Sequence, residues 1–155
     1  MRKCYEKINN KAFTLIELMI VIAIIGILMT IVIIAINPLQ QIQKAQDSKR
    51  RADLNQIKAA MQLYYNDYKY YPTTASSIPF GAAWTVSGTT YMKQIPASDA
   101  NNHYAYNGVG TCSASSCTDY NITAYLNLPN ADDANTLTKC SVTASATINF
   151  AVCND

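Results

Sequence analysis

Histidine is nearly absent from this sequence: His103 is the single one among 155 residues. One imidazole is too few for a His-rich metal or catalytic centre. Charge is scarce as well, with Asp, Glu, Lys and Arg together at 14% where a soluble domain carries roughly 25%. That excludes disorder driven by charge and a strongly basic nucleic-acid domain. Glycine is limited to five residues and none forms a phosphate-cradling loop. No Ser or Cys motif surrounds His103, so no nucleophile–base pair is visible. Half of the residues are hydrophobic, and with so few charges they imply a chain divided into an oily part and a polar part. The length suits one domain with an appendage. The composition is that of an anchored protein rather than a free enzyme.

The charge that exists is uneven. Residues 1–12 hold Arg2, Lys3, Lys7 and Lys11 against Glu6, a net of +3, whereas residues 13–155 sum to −1. From Phe13 to Ile36 the chain runs 24 residues with one charge, Glu17. Leu18–Ile36 alone would make about 28 Å of helix, enough for a hydrocarbon core of about 30 Å. The basic stretch before it places residues 1–12 in the cytoplasm and the remainder outside. A secretory signal peptide is the rival reading, but the apolar run is too long and no small-x-small site follows it. A carboxylate within such a helix costs about 2.5–3.5 kcal/mol on insertion scales. Glu17 either snorkels to the headgroups from near the helix end or awaits a cation from another chain.

The stretch Lys11-Ala12-Phe13-Thr14-Leu15-Ile16-Glu17, followed by LMIVIAIIGIL, resembles the processing site and N-terminal helix of type IV pilins and type II secretion pseudopilins. In that family a membrane aspartyl peptidase cuts between a small residue and Phe and N-methylates the new terminus. The mature amine then pairs with a Glu of a neighbouring subunit. The resemblance implies cleavage between Ala12 and Phe13, methylation of Phe13, and Glu17 as the assembly carboxylate. Ala12 departs from the Gly usual before the cut but is also small. Gly26 permits close helix approach or local unwinding, or is an ordinary membrane-helix glycine. The resemblance makes Gly26 to Pro38 the interval that melts in the filament. Cleavage would delete the +3 leader and create a cation beside a lone buried anion, so that pairing between subunits relieves an unfavourable charge.

Beyond Pro38, the apolar residues Leu54, Ile57, Met61, Tyr64, Tyr65 and Tyr68 recur at steps of three and four. Lys44, Lys49, Arg51, Lys58 and Gln62 fall on the opposite face. Pro38 is expected to kink this helix rather than end it, and Phe13–Tyr71 would span about 88 Å if wholly helical. Lys49-Arg50-Arg51, with Lys44, forms a basic patch for DNA or anionic lipid, or pairs with Asp47 and Asp53 at the surface or between subunits. Tyr64, Tyr65, Tyr68, Tyr70 and Tyr71 read as a helix-to-sheet seam with hydroxyls at its wet edge; a sugar-binding or charge-carrying stripe is the alternative. This segment and Tyr91–Pro96 also resemble the pseudopilin-like branch of the family.

Residues 72–155 contain 21 Ser and Thr but only two Lys. Period-two alternation over Tyr120–Leu128 and Val142–Val152, with shorter runs at Thr90–Ile95 and His103–Asn107, predicts an antiparallel sheet, apolar on one side, laid on the Tyr-rich half of the helix. His103 is expected at a strand edge, and the sequon Asn121-Ile122-Thr123 falls within a strand. Cys4 leaves with the leader, so Cys112, Cys117, Cys140 and Cys153 remain for two disulfides in an oxidising space, with a four-Cys zinc site as the rival. Three pairings are open. Cys112–Cys117 with Cys140–Cys153 would resemble the terminal loop of many pilins, and requires residues 141–152 to reverse near Ser145 rather than run extended; otherwise these cysteines pair upstream. Asp132 and Asp133 offer oxygens to Ca2+, as some pseudopilins do in a C-terminal loop, or form an exposed acidic turn.

The sequence therefore predicts an α+β, pilin-like lollipop, with a long N-terminal helix packed at its C-terminal half against a small antiparallel sheet. Its parts are a cytoplasmic leader (1–12, removed), a transmembrane or filament-core helix (13–36), an amphipathic continuation (37–71) and a disulfide-containing head (72–155). The expected function is a non-enzymatic structural subunit of a type IV pilus serving adhesion, twitching motility or DNA uptake. The alternatives are a type II secretion pseudopilin and a membrane-anchored monomeric binding protein. No cofactor is expected. The implied partners are further copies in a helical filament, a prepilin peptidase, an inner-membrane pilus or secretion platform and, before assembly, membrane lipid; DNA or another surface ligand of the head is left open. Before assembly the chain would sit as a single-pass inner-membrane protein with its C-terminus outside, and afterwards in an extracellular pilus.

Overall fold

The computed structural model describes residues 13–73 and 78–154. The chain divides between Gln41 and Ile42 into two units. The first holds α1, Leu15–Ile36, whose 22 residues make about 33 Å of helix. Every described side chain from Leu15 to Val32 is exposed. This cylinder, apolar all round, is long enough to cross a membrane.

The α1 helix ends at Ile36 and α2, Pro38–Tyr68, begins two residues later. The expected single kinked helix is thus two helices. Asn37 between them takes left-handed backbone angles, φ 45° and ψ 71°. Proline disfavours helical geometry in the residue before it and lacks an N–H to continue the ladder, while asparagine tolerates the left-handed region that terminates helices. Pro38 then occupies the first position of a new helix, where its missing donor costs nothing. The second end falls at Tyr68 rather than Tyr71, with Lys69 at φ 62° and its N–H on the Tyr65 carbonyl at 2.8 Å.

Within the second unit, the buried face of α2 from Leu54 to Tyr64 lies against β-structure. A short hairpin pairs β1, Trp84–Val86, with β2, Thr89–Met92. The main sheet is three antiparallel strands in the order β3-β4-β5, formed by Ala105–Cys112, Cys117–Ala124 and Phe150–Cys153. Alternation within β5 shows how the layers form. Phe150 faces the core with Leu54, Ile57 and Met61 of α2 and Tyr106, Tyr120 and Ile122 of the sheet. Ala151 and Cys153 face a second cluster with Leu137 and Cys140. Leu54, Ile57 and Met61 are wholly buried, each worth roughly 1.5–3 kcal/mol relative to exposure.

The second face was expected to be solvated. It is covered instead by α3, Ala131–Lys139, and Asn121 and Thr123 on that face are buried accordingly. A capping box in which Asn130 and Asp133 exchange bonds starts this helix. The expected strands over Tyr120–Leu128 and Val142–Val152 are shortened to β4 and β5. Ser145 and Ile148 bond each other at 2.9 and 3.3 Å, so the chain reverses there and 141–152 is not one extended run.

The tyrosine-rich end of α2 forms the seam. Tyr64 stacks on Tyr68 at 4.5 Å and on Trp84 at 5.2 Å between ring centroids, and Tyr71 tilts against Tyr120 at 4.6 Å. Burial pushes the Tyr64 phenol up to about 12. Tyr71 exchanges both backbone bonds with Cys117 at 2.8 and 2.9 Å, which fastens the helix exit to β4. Gly108 lets that exit cross β3: a Cβ there would meet the Pro72 carbonyl at 2.6 Å.

Candidate functional site

The start of α1 concentrates the residues to which the sequence assigns function. Thr14 is the N-cap, its backbone extended, and Glu17 is the third helical residue. The Glu17 N–H donates to Thr14 Oγ1 at 3.2 Å; Thr14 N and Oγ1 donate to Glu17 Oε2 at 3.1 and 2.8 Å. This is a complete capping box, and it places a carboxylate where the helix dipole favours negative charge. Glu17 is therefore not the lone anion that hydropathy alone suggested. The Thr-x-x-Glu spacing ahead of an apolar run is the sequence signal for this cap. Phe13 lies one residue before the cap and is exposed. Ala12, with the remainder of residues 1–12, lies outside the described residues.

Gly26 sits within a continuous α1, and a Cβ built on it meets nothing within 4 Å. The subunit itself does not require glycine there.

The basic cluster is largely consumed inside the C-terminal unit. Arg50 Nη1 bonds Asp47 Oδ1 at 3.2 Å and the Tyr125 carbonyl at 3.0 Å. Asp47 is 1% exposed and also accepts from the N–H groups of Asn127 and Leu128 at 2.8 and 2.7 Å. Arg51 makes a two-pronged pair with Asp133, Nε to Oδ1 at 3.1 Å and Nη2 to Oδ2 at 2.7 Å. Its Cζ lies 5.8 Å from the Phe150 ring centroid. That bidentate bond raises the Arg51 pKa above its ordinary value. These contacts correct two expectations: Arg51 reaches the C-terminal unit rather than lying on the face opposite the core, and Asp47 pairs buried within the chain rather than at the surface or between subunits. Sequence reading missed Asp47 as a keystone, although an acid three residues before Arg50 is the spacing of a helical pair.

Cys112 joins Cys117 across the β3–β4 hairpin, and Cys140 at the end of α3 joins Cys153 at the end of β5. The reversal at Ser145 brings the second pair together, and none of the four is left for zinc. Asp133 commits its oxygens to Arg51 and the Asn130 N–H, while Asp132 is exposed on the first turn of α3. The expected acidic turn is a helix start. Among the described residues no group of three or more His, Cys, Asp or Glu could hold a metal. His103 lies in the loop before β3 at φ 48°, its ring edge-on to Tyr125 at 6.2 Å.

Comparison with known proteins places the motif and extends beyond it. Residues 7–33 match the prokaryotic N-terminal methylation motif. The chain is 32% identical over 106 residues to type II secretion system core protein G of Escherichia coli, covering 62% of this chain and 70% of the relative. The same-named protein of Pseudomonas aeruginosa is 28% identical over 116 residues, 68% of this chain and 79% of the relative. That of Vibrio cholerae is 31% identical over 107 residues, with 63% and 70% covered. No solved structure matches.

Proposed function

The chain belongs to the type IV pilin and type II secretion pseudopilin family, and from that premise we propose that it is a pseudopilin, a structural subunit of the short fibre of a type II secretion system. The observation that carries this reading is the length of the similarity. It extends over 106 residues, far beyond the methylation motif at 7–33, and the relatives are named for secretion. The motif by itself fits a surface type IV pilus equally, which is the second reading.

In this reading the +3 leader first holds α1 in the inner membrane with the C-terminal unit outside. A prepilin peptidase cuts between Ala12 and Phe13, removing that charge and freeing an ammonium on Phe13, which is then methylated. Methylation keeps the positive charge. The ammonium of one subunit meets Glu17 of the next as the apolar helices leave lipid and pack into the fibre core. Small residues along α1, Gly26 among them, admit close approach.

The test is mass spectrometry of the mature N-terminus in separated fractions of the native cell. A peptide beginning at methylated Phe13, confined to the membrane fraction while sheared surface fibres lack the chain, is expected. The same peptide abundant in sheared fibres would move the assignment to the surface pilus. A chain still beginning at Met1 in both fractions would overturn processing and assembly together.

A further inference from the structure

A polar cleft of about 350 Å3 lies between the Gln46–Asp53 stretch of α2 and the loop Ala97–Tyr104. A second hollow shares Lys49, Asp53, Asp99 and Asn102 with it and lengthens it along the same loop. Volumes of this order suit small ligands, and most such sites are chiefly apolar; this one is not.

Its walls are fixed in advance. Asp99 Oδ1 accepts from the N–H groups of Asn101 and Asn102 at 2.7 and 2.9 Å. Asn102 Oδ1 accepts from Asp99 N at 2.9 Å, its Nδ2 donates to the Ala97 carbonyl at 2.9 Å, and Ser98 Oγ donates to the Tyr104 carbonyl at 2.8 Å. Those backbone bonds hold the Asp99 carboxyl below the usual carboxylate range. On the helix side Arg50 is 7% exposed and bonds through Nη1 alone, which leaves the other guanidinium donors toward the cleft it lines. The Tyr104 hydroxyl donates to Asp53 Oδ2 at 2.8 Å, leaving Oδ1. Asp99 likewise keeps Oδ2. Lys49 is exposed at the rim with no ion pair among the described residues.

The cleft thus presents donors on Lys49 and Arg50 and acceptors on Asp53 and Asp99 around a preorganised loop. Asp47 balances Arg50, and Lys49 stands against the two carboxylates, so a net charge of −1 remains and disfavours an inorganic anion; each carboxylate keeps one oxygen, too few donors for a metal cation. Carboxylate oxygens accept hydroxyl donors in pairs, while the guanidinium and ammonium donate to hydroxyl and ring oxygens. Alternating donors and acceptors of this kind complement a neutral polyhydroxylated molecule. We propose that the cleft between α2 and the Ala97–Tyr104 loop binds a neutral carbohydrate of one or two rings. This site is separate from the assembly end of α1 and does not depend on the secretion assignment.

The full-length chain is placed in dodecylphosphocholine micelles, which contain no sugar, and offered N,N′-diacetylchitobiose, cellobiose and maltose in turn. Saturation transfer from protein to sugar protons is read by NMR. At least one disaccharide is expected to receive saturation. Lys49→Met and Asp99→Asn should each weaken that binding at least fivefold, and Lys44→Met should leave it unchanged. Trp84 emission, kept equal across the variants, ensures that the fold is compared like for like. No transfer to any of the three sugars overturns the proposal, as does transfer that survives Lys49→Met and Asp99→Asn. Displacement of the sugar by triglycine at a lower concentration than by free sugar would overturn it in favour of a peptide.

Discussion

Asp47→Ala offers the sharpest test of how α2 is fastened to the sheet. Asp47 is 1% exposed and serves three donors: the Arg50 guanidinium and the backbone N–H groups of Asn127 and Leu128. Alanine strands all three. Removing one partner of a buried ion pair costs about 3–5 kcal/mol, because the other charge is left uncompensated. Each orphaned N–H adds about 1–3 kcal/mol where water cannot reach it. The Tyr125 carbonyl still accepts from Arg50 at 3.0 Å, and Leu128 is exposed enough for water to reach its N–H, so the pair at its lower bound with the Asn127 N–H gives a net loss of about 4 kcal/mol. Against a typical domain stability of about 5–15 kcal/mol, that is a large share.

The assay is urea unfolding of the full-length chain in micelles, followed by emission of Trp84, the single tryptophan, 1% exposed in the aromatic seam. With a slope of about 2 kcal/mol per molar urea, the midpoint should fall by about 2 M. Asp47→Asn should be intermediate, since one amide oxygen cannot serve three donors. Arg50→Met added to Asp47→Ala should restore part of the loss by removing the stranded cation, and the double-mutant cycle should show at least about 1 kcal/mol of coupling. A loss under about 1 kcal/mol for Asp47→Ala, or strict additivity with Arg50→Met, would refute the keystone role.

Three further outcomes are expected. Glu17→Ala should leave the amount of chain in the membrane unchanged and reduce fibre assembly at least tenfold; normal fibres from that variant would remove Glu17 from the mechanism. Replacing Cys140 and Cys153 by Ser should lower the urea midpoint by about 3 kcal/mol equivalent, and replacing Cys112 and Cys117 by about 0.8 kcal/mol less, because the bridged separations are 13 and 5 residues and loop entropy scales as their logarithm; equal losses would reject loop entropy as the cause. Burial raises the phenol pKa of Tyr64, Tyr71 and Tyr106, and burial with the Asp53 bond raises that of Tyr104. An unfolded tyrosine titrates near about 10, so above that pH the folded chain holds more protons than the unfolded chain. Stability is then whole below about pH 10 and falls as pH rises toward 12, and the share of phenolate absorbance that replacing these four rings by Phe removes should appear together with loss of Trp84 burial rather than before it.

Legibility followed the strength of the local pattern. The apolar run of α1 and the three-and-four spacing of Leu54, Ile57, Met61 and Tyr64 announce helices because both patterns are long. The break at Asn37 reads in the sequence as a kink, since periodicity resumes at Pro38 and says nothing about the left-handed residue before it. The α3 helix was missed because it is nine residues long and mostly Ala, Asp, Asn and Thr, with Leu137 its one large apolar side chain. Only the Asn130-x-x-Asp133 cap marks it. The alternation over Val142–Val152 was real but short-range, and Ser145 turns the chain within it. For the site, Glu17 was legible as a charge in an apolar run, while its partner Thr14 required reading the same residues as a helix start. Asp47 is legible as a partner of the basic cluster but not as a buried one, whereas Arg51 and Asp133 are legible as charges and not as partners of each other. The last two are 82 residues apart in sequence, and no local rule pairs them.

The capping box also changes the energetic role that Glu17 would have in a fibre. A bare carboxylate in lipid would give assembly several kcal/mol of relief on finding a cation. Glu17 already accepts two bonds from Thr14 on Oε2 at 2.8 and 3.1 Å, and it sits at the positive end of its own helix. The bonds from Thr14 are already charge-assisted, because their acceptor is a carboxylate, so what the Phe13 ammonium of a neighbour adds is one further contact on the oxygen left free. A hydrogen bond to a charged group is worth about 1.5–3 kcal/mol net. It is too small to extract an apolar helix of 22 residues from lipid unaided. It is sufficient to distinguish one register of adjacent helices from another, where every other side chain of α1 from Leu15 to Val32 except Thr30 is Gly or apolar and lipid competes on equal terms. In the proposed fibre Glu17 would therefore set the stagger between subunits, and the driving free energy would come from packing and from the machinery that assembles them.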